Sequence, residues 1–157
     1  KINNPKEQKI YNTEEKILAG ELILDPFIRR NVVEEWINSG WVKHCHARSA
    51  IPNNPLNIYG KHPDGTLGRG IQYPFKKPNN DEYHSLWEEK LLDPWKVCIL
   101  KLMKYHAKDP KSKLGQISTE FIPNTDYGEG CKYSLFEQGV ECTKWMRNNW
   151  EKIKKET

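Results

Sequence analysis

The chain has 157 residues, of which 29% are charged, with a net charge of +4. That length fits one ordinary domain and falls short of the roughly 250 residues of a complete eight-stranded α/β barrel. Lys and Arg are interspersed with Asp and Glu, so no basic block tracks a nucleic-acid backbone, and no run approaches the ~20 apolar residues of a membrane span.

Residues 1–12 are polar and read as an arm. Thr13 is placed to cap a short helix that runs to about Leu24, with Glu14 and Glu15 in its first turn, where acids suit the dipole. In "LDPFIRRNVVEEWINSG", Asp25 reads as a cap, Pro26 as the first helical residue and Gly40 as the position just past the end, which predicts a helix over 26–39. Its candidate core face is Phe27, Ile28, Val32, Trp36 and Ile37. "WVKHCHA" follows as a strand over 41–47. Residues 49–92 form a long connection rich in Pro, Gly and Asn. Its aromatic residues Tyr59, Tyr73, Phe75, Tyr83 and Trp87 argue against disorder.

"LDPWKVCILKLMKYHAKDP" repeats the earlier punctuation and predicts a helix over 94–107, with Asp93 as cap and His106 facing solvent or the helix terminus. A second strand is predicted over 115–121 in "GQISTEFI". A loop with Asp126, Tyr127, Gly128 and Gly130 then leads to a last helix over 134–153, where Ser134 and Glu137 have capping-box spacing. Its apolar face is read as Phe136, Val140, Thr143, Met146, Trp150 and Ile153. Helices alternating with strands predict βα units and a parallel sheet. Two strands do not make an independently stable sheet, so more must complete it.

The cysteines Cys45, Cys98, Cys131 and Cys142 form no C-x-x-C pair, which speaks against a zinc ribbon and for reduced thiols in a cytoplasmic protein. The first eleven residues lack the apolar centre of a signal peptide. A chain that begins with Lys is read as a fragment or a processed product.

The chemistry concentrates in two segments. In "HCHARSA", strand alternation sends His44, His46 and Arg48 to one face, and Cys45 and Ala47 to the other. In "GQISTEFI", Gln116, Ser118 and Glu120 share one face, and Ile117, Thr119 and Phe121 the other. An imidazole and a carboxylate at the C-terminal ends of parallel strands suit a divalent ion, Mn²⁺, Mg²⁺, Co²⁺ or Zn²⁺. His46 and Glu120 are therefore expected to meet, with His44 and Arg48 opening onto the same cavity and the long connection, with Tyr73 or Trp87, covering it. His62 and His84 have weaker claims as pocket residues, and Cys131 has no His/Asp arrangement around it.

"HCHARSA" also resembles the H-x-HAR segment of the xylose isomerase-like TIM-barrel superfamily, the sugar-phosphate isomerase and epimerase group. "ISTEFIP" resembles that group's segment with the last-strand glutamate, and the resemblance covers roughly residues 41–148. It implies a partial (β/α)₈ barrel: residues 1–24 as arm and short helix, and 25–157 as the C-terminal part of the barrel. Another copy or a missing N-terminal half would complete it. It implies a metal-dependent isomerase or epimerase acting on a sugar or sugar phosphate, with metal held by His46 and Glu120. Glu120 would also act as base, and His44 and Arg48 would face substrate oxygens. The further Glu and Asp of the group's metal site have no counterpart here. The competing expectation is therefore a non-catalytic fragment or interaction subunit.

Overall fold

The computed structural model describes residues 13–51, 64–65, 72–83, 86–109, 111–123 and 132–157. The elements in chain order are α1 (Thr13–Leu18), α2 (Val32–Asn38), β1 (His44–His46), a 3₁₀ turn (Glu89–Leu92), α3 (Asp93–Lys108), β2 (Gln116–Ser118) and α4 (Leu135–Glu156). β1 and β2 pair in parallel, with His44 opposite Gln116, Cys45 opposite Ile117 and His46 opposite Ser118. Parallel neighbours need a long crossover, and α3 supplies it.

The expected partial barrel does not form. Among the described residues the sheet has two strands of three residues each, beside four α-helices. The alternation over 41–47 and 115–121 extends further than the ladder because strand structure needs paired backbone as well as pattern. Just outside the ladder the backbone has other partners. The carbonyl of Val42 accepts a hydrogen bond from a histidine ring, and Gly115 N–H reaches Lys43. The stretch 72–76 of the long connection is held by side chains. The Ser49 hydroxyl donates to the Tyr73 carbonyl, and the amide of Gln138 brackets Lys76, accepting from its N–H at 2.7 Å and donating to its carbonyl at 3.1 Å.

Two helix starts differ from the sequence reading. Asp25 accepts from Phe27 N–H in a tight turn, Arg30 takes a left-handed φ of 60°, and Asn31 becomes the true cap by accepting from Glu34 N–H. Of the candidate core face only Ile37 is buried; Phe27, Ile28 and Trp36 are exposed. Asp93 lies inside α3, because the preceding 3₁₀ turn runs straight into it and no side chain caps the junction. Ser134 does cap α4, accepting from Glu137 N–H. α1 ends at Leu18, short of Leu24, where the chain turns through Gly20 at φ +71°.

The core lies between sheet and helices: Ala47 from just after β1, Ile99 and Met103 from α3, and Cys142, Met146 and Ile153 from α4. Cys45, Ile117 and Phe121 pack against it, so the apolar strand faces point inward. The seam of α4 runs through Gln138, Cys142 and Met146 at i, i+4 spacing, and Phe136 is 81% exposed. His106 is not a solvent-facing terminus residue. It is buried, its Nε2 meets the Val42 carbonyl at 3.1 Å, and its Nδ1 meets the Ser112 hydroxyl. One ring thus ties the entry of β1 to the entry of β2.

His106→Ala leaves the half-buried Val42 carbonyl without its donor and opens a cavity. It is expected to destabilise the fold by roughly 2–4 kcal/mol in urea unfolding. Burial pushes the Cys142 thiol up to about 12. The unfolded chain releases that proton first, so stability falls as pH rises from 9 toward 12. Cys142→Ala should flatten that alkaline slope in pH-dependent denaturation.

Candidate functional site

The polar strand faces meet just beyond the C-terminal end of the ladder. His46 and Glu120 are 74 residues apart in sequence, yet Nδ1 of His46 lies 2.9 Å from Oε2 of Glu120. Arg48 Nη2 reaches the same oxygen at 2.9 Å. The register explains the second contact: continuing the ladder two residues past His46 and Ser118 sets Arg48 opposite Glu120. Opposite charges in facing positions stabilise neighbouring strands. The His44 ring lies edge-on to His46, with centroids 4.7 Å apart. All four residues named from the sequence are therefore neighbours in space.

Their exposure differs in a way that sorts their roles. The Arg48 side chain is only 13% exposed and Glu120 29%, whereas His46 is 58% exposed. The guanidinium forms the floor, the carboxylate sits above it and the imidazole faces outward. Behind the site, Ala47 is fully buried and its carbonyl lies 3.9 Å from the Cys142 thiol, so α4 backs the strand. Cys45 points into the core, where burial and then the neighbouring Cys98 raise its thiol pKa. It is a poor nucleophile there.

The polar ends of Tyr73 and Trp87 find their partners within the long connection. Tyr73 is buried, its hydroxyl accepting from Glu88 N–H at 2.8 Å, and Trp87 Nε1 donates to the Pro74 carbonyl at 2.8 Å. Both pin the connection to itself. His62, His84, Asp126 and Cys131 lie outside the described residues.

The donor set gives a direct test of the metal expectation. Neutral imidazole and carboxylate are suitable ligands for a divalent ion. The 2.9 Å contact of Nδ1 with Oε2 is ordinary hydrogen-bond geometry between a donor and an acceptor. Among the described residues no group of three His, Cys, Asp or Glu side chains converges to hold an ion.

Sequence reasoning missed the sharing of one Glu120 oxygen by Arg48 and His46. The signal was present in the parallel register, which sets residue 48 against 120. Comparison with protein-family models, with curated proteins and with solved structures finds no match. No helix among the described residues is long and apolar enough to cross a membrane.

If the Arg48–Glu120 contact is a cross-strand ion pair, Glu120→Gln should weaken both its contacts. The expected loss is about 1–3 kcal/mol in chemical denaturation, larger than for an exposed pair because Arg48 is mostly buried. Equal stability of the variant and the parent would contradict the pairing.

Proposed function

We propose that the chain carries part of a metal-dependent isomerase or epimerase site for a sugar or sugar phosphate. The observation that carries the reading is the meeting of His46 with Glu120 beside Arg48. The two segments that resemble the sugar isomerase group supply exactly these side chains. In this reading His46 and Glu120 would hold a divalent ion, which would supply Lewis-acid polarisation of substrate oxygens. The Glu120 carboxylate accepts a proton from the carbon beside the carbonyl, and the outward-facing His46 and His44 hydrogen-bond to substrate hydroxyls. Arg48 orients an anionic or oxygen-rich end of the molecule.

Further ligands would come from a partner, a second copy of the chain included. Among the described residues Cys45, Cys98 and Cys142 are free thiols, in keeping with a cytoplasmic setting. A second reading, a non-catalytic interaction subunit, draws on one specific observation. The Arg48–Glu120 ion pair is sufficient by itself to explain a Glu at this register position.

The two readings part on metal content and proton exchange. For the isomerase, the parent chain binds Mn²⁺ and exchanges the substrate's carbon-bound proton with deuterium from solvent, read by NMR across a panel of aldoses, ketoses and their phosphates. His46→Ala and Glu120→Gln should each lower Mn²⁺ affinity by tenfold or more and abolish exchange. Metal content unchanged in both variants would leave the subunit reading.

A further inference from the structure

A cavity of about 300 Å³ opens between β2 and α4 and shares no residue with the His46–Glu120 site. Thr143, Met146, Arg147 and Trp150 form its helix wall, at the i, i+3, i+4, i+7 spacing that sets side chains along one face. Leu114, Gln116 and Ile117 form the strand wall, and Met103 reaches it from α3. Met103 and Met146 also belong to the hydrophobic core, so the cavity opens directly onto that core. Methionine and tryptophan give it polarisable surface that adapts to ligands of irregular shape. An apolar group that enters such a recess gains by leaving water.

The charge of the lining has one sign. No carboxylate lines the cavity, and Arg147 is the charged side chain in it. Glu151, one turn further along α4, feels Arg147 but lies outside the lining and pairs with Lys154 at 2.8 Å. A wider depression continues past Thr143 and Arg147 toward Phe121 and Phe136, where Lys144 joins the lining and again no carboxylate does. The Thr119 and Thr143 hydroxyls, 3.4 Å apart, tie strand to helix alongside. A guanidinium beside an apolar recess selects an anion, and its planar fork matches the two oxygens of a carboxylate. The Gln116 amide and the Thr143 hydroxyl supply further donors.

From this geometry we propose that the cleft between β2 and α4 binds a small amphipathic carboxylate. Its apolar body lies against Met103, Ile117, Met146 and Trp150, and its carboxylate sits on Arg147. The site stands apart from the metal reading and does not depend on it.

The chain has two methionines, and both line this cavity. Selective ¹³C labelling of the methionine methyl groups therefore gives an NMR reporter confined to the site. The full chain is titrated with octanoate, with 3-phenylpropanoate and with neutral octan-1-ol. At least one acid should shift both methyl resonances and saturate, and the tighter acid shows whether the preferred body is linear or aromatic. Octan-1-ol should bind about tenfold more weakly, for want of one charge-assisted contact. Saturating acid should also raise the thermal unfolding midpoint. Arg147→Gln, at an exposed position, should bind the acids no better than octan-1-ol, and Arg147→Lys should keep part of the preference. Thermal unfolding without ligand checks that both variants fold. The inference is overturned if neither acid moves the methyl resonances, or if the shifts grow without saturating. It is equally overturned if octan-1-ol binds as tightly as the acids, or if Arg147→Gln retains the preference for them.

Discussion

The structure depends on a parallel ladder only three residue pairs long. Such a ladder supplies few hydrogen bonds, and parallel strands cannot be joined by a tight turn, so its alignment has to be imposed from outside. α3 imposes it by carrying the chain back across the sheet and burying Ile99, Leu102 and Met103. α4 adds Cys142, Met146 and Ile153 to the same core cluster as Ile99 and Met103. His106 completes the frame, because its ring bonds both the backbone entering β1 and the loop entering β2. Without these contacts nothing sets residue 46 or 48 near residue 120.

That alignment turns a packing device into a chemical one. The odd-numbered side chains Cys45 and Ala47 enter the core, and the even-numbered ones face outward together. Two residues past the ladder, the same alternation puts a guanidinium opposite a carboxylate. The buried side of the strands fixes position, and the exposed side inherits that precision. A site on such short strands stays ordered because its support comes from α3 and α4 rather than from sheet width.

The sequence revealed the alternation in "HCHARSA" and "GQISTEFI" because period two survives in single strands, and the meeting of His46 with Glu120 follows once the strands are adjacent. It also revealed the Ser134 cap, a local signal that needs no tertiary information. The start of α2 was misread because Asp25-Pro26 and Asn31 are both good caps, and only the left-handed turn at Arg30 decides between them. On α4, Met146 and Ile153 are buried as read, and only the N-terminal half of the face was misplaced, for a different reason. Gln138 and Cys142 look polar or neutral in sequence, yet Gln138 is buried because both ends of its amide bond to the backbone of Lys76. The barrel expectation failed at the level of pairing. Alternation shows which way side chains point and is silent on how many strands find neighbours.

The central claim is that His46, Glu120 and Arg48 share one carboxylate oxygen, and the His46 ring reports on it most directly. In imidazole ¹⁵N NMR at a pH where the ring is neutral, the account predicts the proton on Nδ1, donated to Glu120. Glu120→Gln should shift that resonance, whereas Glu137→Gln, at an exposed residue on α4, should leave it in place. A ring carrying its proton on Nε2, with a spectrum indifferent to Glu120→Gln, would contradict it.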